Sequence, residues 1–100
     1  MRITNINGTS DNDCSCGSWL IHWKRYSGVP LPPTCACTTC YDRPTVGAHV
    51  QKDTLLDNAW YIVPLCDAHN RSTAALDIGN TPLVSANTAD TCAKVEAVKA

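Results

Sequence analysis

A small α+β domain held together by metal is the fold class this sequence predicts, and three observations predict it. The chain has 100 residues but only 19 Leu, Ile and Val together, and no Phe. A domain of this length buries a modest share of its surface, so such a core is thin. Seven cysteines stand mostly in close pairs, and cross-links of this kind are what small cores need. Segments of helical period alternate with short β-branched runs. Low aliphatic content signals disorder when net charge is high. Here the net charge is −1, with three Trp and three Tyr, which favours a folded chain.

The elements follow in order. Residues 1–13 are rich in Asn, Asp, Ser and Thr and read as a polar arm, with one short strand around Ile3 to Ile6. Residues 18–27 read as a helix, with Ser18 as N-cap and Gly28 as its stop. Trp19, Leu20, Trp23 and Tyr26 share one face of it, while His22, Lys24 and Arg25 face elsewhere. That aromatic face serves either as core or as a contact surface, and a small domain favours core. Val29 to Pro33 holds three prolines and acts as a stiff connector. Pro44 to Val50 is a strand, and Trp60 to Leu65 is the strongest strand in the chain. The two pair as a hairpin with a long loop, and Pro64 requires an edge position or a strand end. Cys66 to about Leu76 reads as a second helix, with Asp67 in its first turn. Residues 82–86 form a last short strand, 87–90 a turn and 91–99 a terminal helix. No repeat or linker divides the sequence, so a single domain over 1–100 is expected.

Cysteine spacing then chooses the cross-link. Seven thiols cannot all pair as disulfides. No charged segment followed by an apolar one marks a secretory leader. A cytoplasmic location is therefore expected, and structural disulfides do not persist there. No run of 18 apolar residues is present, so no membrane helix is expected. Cys37-Thr-Thr-Cys40 and Cys66-Asp-Ala-His69 are separated by 25 residues. Two such pairs supply the four tetrahedral nitrogen and sulfur ligands of zinc. Cys35 competes with Cys37 for the first pair, and the two-residue gap of Cys37 makes the tighter knuckle. The remaining Cys14, Cys16, Cys35 and Cys92 form a second complete set, so a second zinc is the further expectation.

The order of knuckle, hairpin and a helix whose first turn carries two ligands resembles a treble-clef zinc finger. Within that group, Cys37, Cys40, Gly47-Ala48-His49-Val50 and Ile62 to Asn70 resemble the HNH (His-Me finger) endonuclease family over residues 35–77. The resemblance implies His49 as general base, a role that suits imidazole near neutral pH. It implies Asn70 as a ligand of a catalytic magnesium ion; Asp57 and Asp67 offer oxygen donors that suit magnesium, but neither sits where the family pattern would put it. The chain departs from the family pattern in three places. Asn70 stands where His is usual, His69 replaces a cysteine, and the middle Asn is missing, Asn58 being the nearest candidate. Outside the resemblance, His49 also reads as a core imidazole or a zinc ligand, and Arg71 as a solvated charge or a phosphate contact.

Three functions fit these readings. The first is a zinc-stabilised binding, adaptor or regulatory module of bacterial or phage type, which keeps the scaffold without the chemistry and meets a protein or nucleic-acid partner. The second is a magnesium-dependent endonuclease, although eight Lys and Arg offer few phosphate contacts. The third is a thiol redox or metal-buffering protein that uses Cys37 and Cys40, against which stands the lack of a βαβ pattern.

Overall fold

The computed structural model describes residues 1–6, 18–54, 57 and 59–86. Their order is β1 (Arg2–Asn5), α1 (Trp19–Tyr26), β2 (Val46–Lys52), β3 (Tyr61–Leu65), α2 (Asp67–Asn70), β4 (Leu76–Asp77) and β5 (Val84–Ser85). The five strands form one antiparallel sheet in the order β4-β1-β2-β3-β5. The terminal helix expected over 91–99 and the turn at 87–90 lie outside the described residues.

The pairing of β2 with β3 follows the expected hairpin, with Ala48 opposite Val63 and His49 opposite Ile62. Side chains alternate across a strand, so register divides the sheet into two faces. One face carries Val50, Ala48, Val63, Leu65, Ile3 and Leu76, which pack with Cys35, Ala36, Cys37 and Cys66. The other carries Ile62 and Val84, which pack with Trp23 of α1. The thin aliphatic content is thus spread over two small cores, one under the cysteine-rich segment and one under the helix.

Helix α1 keeps the expected cap: the Ser18 hydroxyl accepts the Ile21 N–H at 3.1 Å. Gly28 follows with φ of 78°, a conformation glycine adopts without strain. Trp23 is only 1% exposed and its indole N–H donates to the Pro82 carbonyl at 2.9 Å. The aromatic face is therefore core. The expectation that His22 faces elsewhere is corrected. Its ring is fully buried, with Nε2 2.8 Å from the Ser85 carbonyl. A Cβ added to Gly47 would stand 2.6 Å from the Trp19 carbonyl oxygen, so glycine at this position lets the helix N-terminus lie directly on β2.

Two further expectations change. The strand expected around Ile3 to Ile6 forms as β1, but it is docked rather than part of an arm: Ile3 is fully buried between β2 and β4. The second helix is a single turn of four residues rather than a run from Cys66 to about Leu76. Ala74, Ala75 and Leu76 are fair helix formers, but Leu76 is buried opposite Ile3 in β4. The Thr38 N–H donates to the Asp77 carbonyl and the Ile78 N–H to the Met1 carbonyl, both at 2.9 Å. Long-range pairing overrides a weak local preference. Pro64 lies past the two residues, Tyr61 and Ile62, that pair with β5. Its carbonyl accepts the Ala36 N–H at 2.9 Å, which joins the cysteine-rich segment to the sheet.

Candidate metal centre

The segment 34–42 crosses the end of the β2–β3 pair and turns back on itself. The Cys35 N–H donates to the Asp42 carbonyl at 2.7 Å and the Cys40 N–H to the Cys37 carbonyl at 3.0 Å. The second bond closes a tight turn that aims Cys40 toward the start of α2. Cys66 ends the strongest strand and is the N-cap of α2. His69 follows one turn later, on the same side of the helix. Two chain segments 31 residues apart in sequence therefore meet at one point.

At that point the ligand atoms of Cys35, Cys40, Cys66 and His69 all lie within 4.8 Å of one another. Cys40 Sγ is 3.8 Å from Cys66 Sγ, Cys35 Sγ is 3.8 Å from His69 Nδ1, and Cys66 Sγ is 3.3 Å from the same nitrogen. A tetrahedral ion bonded to sulfur at about 2.3 Å and to nitrogen at about 2.0 Å holds its ligand atoms roughly 3.5–3.8 Å apart. The observed separations fit a single ion of this size. Three thiols and one imidazole are also the soft donor set that zinc accepts and magnesium does not. A Cys3His group that could hold one metal ion is the chemistry this site offers.

The thiols are unequal. Burial raises the Cys35 thiol to about 11, against smaller opposing contributions from backbone N–H groups. Cys66 is also pushed up by burial, but the His69 backbone N–H and the side chains of His69, Cys40 and Cys35 outweigh this and leave it at about 7. The Cys66 N–H donates to Cys35 Sγ at 3.3 Å, so the backbone at the strand end already favours negative charge on sulfur.

The group that the structure brings together contains Cys35 rather than Cys37 of the tighter knuckle. Cys37 is buried in the core beneath the sheet and its sulfur is 3.5 Å from the Thr39 hydroxyl. The reason lies in the turn: Cys37 accepts the Cys40 N–H through its carbonyl, while Cys35 is drawn to the Cys66 N–H. With Cys35 in this group, the second set of Cys14, Cys16, Cys35 and Cys92 lacks one member. Cys14, Cys16 and Cys92 themselves lie outside the described residues.

The residues tied to nuclease chemistry are distributed differently. His49 is on the sheet face that α1 covers, 7% exposed, with its ring 4.6 Å from that of Trp19 and 6.2 Å from that of Trp60. Burial, then the nearby charge of His22, lowers its pKa. Asn70 closes α2 on the cysteine-rich side, where its N–H donates to the Cys66 carbonyl at 2.9 Å. The sheet separates the two. Asp57 accepts the Tyr61 hydroxyl at 2.6 Å, the Ala59 N–H at 2.9 Å and pairs with Lys52 at 3.2 Å. Its carboxylate ties the end of the β2–β3 connection. Asp67 accepts the Thr45 hydroxyl at 3.3 Å, Arg71 is exposed as the C-cap of α2, and Asn58 lies outside the described residues.

One residue at the site carried no sequence signal. Asn5, in β1, donates through Nδ2 to the His69 carbonyl at 2.7 Å and to the Ser72 carbonyl at 3.0 Å. It lies 64 residues from His69 in sequence, and an asparagine in a polar N-terminal stretch has no spacing that could point to it. Among the described residues, no helix is long and apolar enough to cross a membrane. Comparison with protein-family models, with curated proteins and with solved structures returned no match, so the endonuclease resemblance rests on the sequence motifs alone.

Proposed function

We propose that this protein is a zinc-stabilised binding module in which Cys35, Cys40, Cys66 and His69 hold one structural zinc. The observation that carries this reading is the closed donor set. Four protein ligands complete a tetrahedron, whereas a catalytic zinc keeps one position open for water or substrate. The thiol turn at 35–40, the β2–β3 pair and a helical turn capped by Cys66 support a treble-clef arrangement with a shortened helix, within one domain. The role of the metal is then folding: it joins the cysteine-rich segment, the sheet and α2, which the thin cores hold weakly on their own.

Burial of His49 under Trp19 and Trp60, away from Asn70, favours a module that acts by contact over one that cleaves phosphodiesters. The partner surface includes the outer side of α1, where Ile21, Lys24 and Arg25 are exposed, an apolar and basic combination that suits an acidic protein or nucleic-acid surface. The experiment is metal analysis of the purified protein, with thermal melting before and after chelation. One zinc per chain and a melting transition lost with chelator are expected. Unchanged melting after complete metal removal refutes the reading, and magnesium-dependent plasmid nicking that disappears in His49→Ala replaces it with the endonuclease.

A further inference from the structure

Helix α2 has only four residues. A helix that short does not hold itself, since the first turn costs more conformational freedom than its hydrogen bond returns. Its own closing bonds are few: the Arg71 N–H reaches the Asp67 and Ala68 carbonyls at 3.2 and 3.3 Å, and the Ser72 N–H reaches the His69 carbonyl at 3.1 Å. Yet α2 carries His69, and the position of Nδ1 relative to three sulfurs depends on where the turn ends. Two bonds fix that end from outside: the Asn5 side-chain amide donates to both the His69 and Ser72 carbonyls. The opposite amide orientation would place an oxygen against two carbonyl oxygens, so the donor assignment follows from the acceptors. Asn5 Oδ1 is buried with no partner among the described residues. Strand pairing with Val50 places the Asn5 backbone, and the two donor bonds orient its side-chain amide.

We infer that Asn5 is a positioning residue for the metal centre, which sets the geometry of the His69 ligand by holding the end of its turn. This rests on the zinc reading above. Asn5 touches no ligand atom; it acts through the backbone of His69. Groups that orient a metal ligand in this way commonly change affinity by about 10–100-fold when removed.

The test compares Asn5→Asp, Asn5→Ala and Ile3→Ala in the full chain. All three alter β1. Asn5→Asp keeps the shape but turns the donors into an acceptor, whereas Ile3→Ala removes only packing. Zinc affinity is measured by competition with a chromophoric chelator, and ligand geometry by the visible absorption of the cobalt(II) form. Both Asn5 variants are expected to lose about 10–100-fold in affinity and to change the cobalt spectrum, while Ile3→Ala keeps the wild-type spectrum. Asn5 variants that fail to take up cobalt, where Ile3→Ala still does, also support the inference. It is overturned if the Asn5 variants keep wild-type affinity and spectrum, or if Ile3→Ala disturbs both equally. A wild-type protein that binds no zinc refutes the underlying zinc reading itself, which the variants do not test.

Discussion

Replacing Cys35 and Cys37 separately by serine distinguishes two thiols that are two residues apart and equally buried. Cys35 Sγ is 3.8 Å from His69 Nδ1 and accepts the Cys66 N–H at 3.3 Å. Cys37 Sγ touches the Thr39 hydroxyl at 3.5 Å and otherwise packs in the core. Structural zinc sites bind with roughly 10–16 kcal/mol at neutral pH, so each of four ligands carries on the order of 3–4 kcal/mol. At about 1.4 kcal/mol per tenfold, Cys35→Ser should weaken zinc binding by about two to three orders of magnitude. Cys37→Ser places a hydroxyl in a buried site and costs about 1–3 kcal/mol of stability, with zinc stoichiometry retained. Chelator competition gives the affinities, and urea unfolding of the zinc-loaded proteins gives the stabilities. Greater loss of affinity in Cys37→Ser than in Cys35→Ser would refute the register and return the ligand role to the tighter knuckle.

Other perturbations probe the opposite face. Gly47→Ala forces a methyl group into the Trp19 backbone and should destabilise by about 3 kcal/mol in urea unfolding, because backbone cannot move aside as a side chain can. Trp23→Ala removes the largest buried side chain and its bond to Pro82, with an expected loss of about 3–5 kcal/mol in the same assay. His22 has a pKa below its usual 6.5 because burial disfavours its charged form, against a smaller raising effect from the Ser85 carbonyl. The unfolded chain therefore binds the proton more readily. Stability from this group is complete above about pH 6.5 and falls as pH drops from there through the folded value. His22→Gln should flatten that fall in unfolding measured between pH 5 and 7.5, with both proteins zinc-loaded; an unaltered slope contradicts the neutral buried assignment.

Much of the architecture was legible because local signals and tertiary packing agree. Ser18 and Gly28 mark the ends of α1, and the Trp and Tyr spacing identifies its buried face. The β-branched run before Cys66 identifies β3, whose antiparallel partner β2 overlaps the expected segment around Thr45 to Val50. Disagreement arises where long-range pairing competes with local preference. Residues 74–76 are helical by propensity but complete the sheet beside Ile3. His22 is polar by type but is buried because Ser85 offers it a carbonyl. Neither competitor is visible within a short window of sequence.

The sequence by itself determined that residues able to ligate a metal are concentrated in this chain: close cysteine pairs, a histidine one helical turn after Cys66 and too few aliphatics for a large core. Ligand type follows from residue identity, and the i, i+3 relation of Cys66 and His69 follows from helix geometry. Only the tertiary structure decided which thiol completes the group, since Cys35 and Cys37 differ in the direction their turn points each sulfur. It also placed His49 behind the sheet, because side chains alternate along β2 and one step in register exchanges the faces. Finally, it brought Asn5 to the His69 turn across 64 residues. Strand pairing creates that contact, and no spacing in the sequence encodes it.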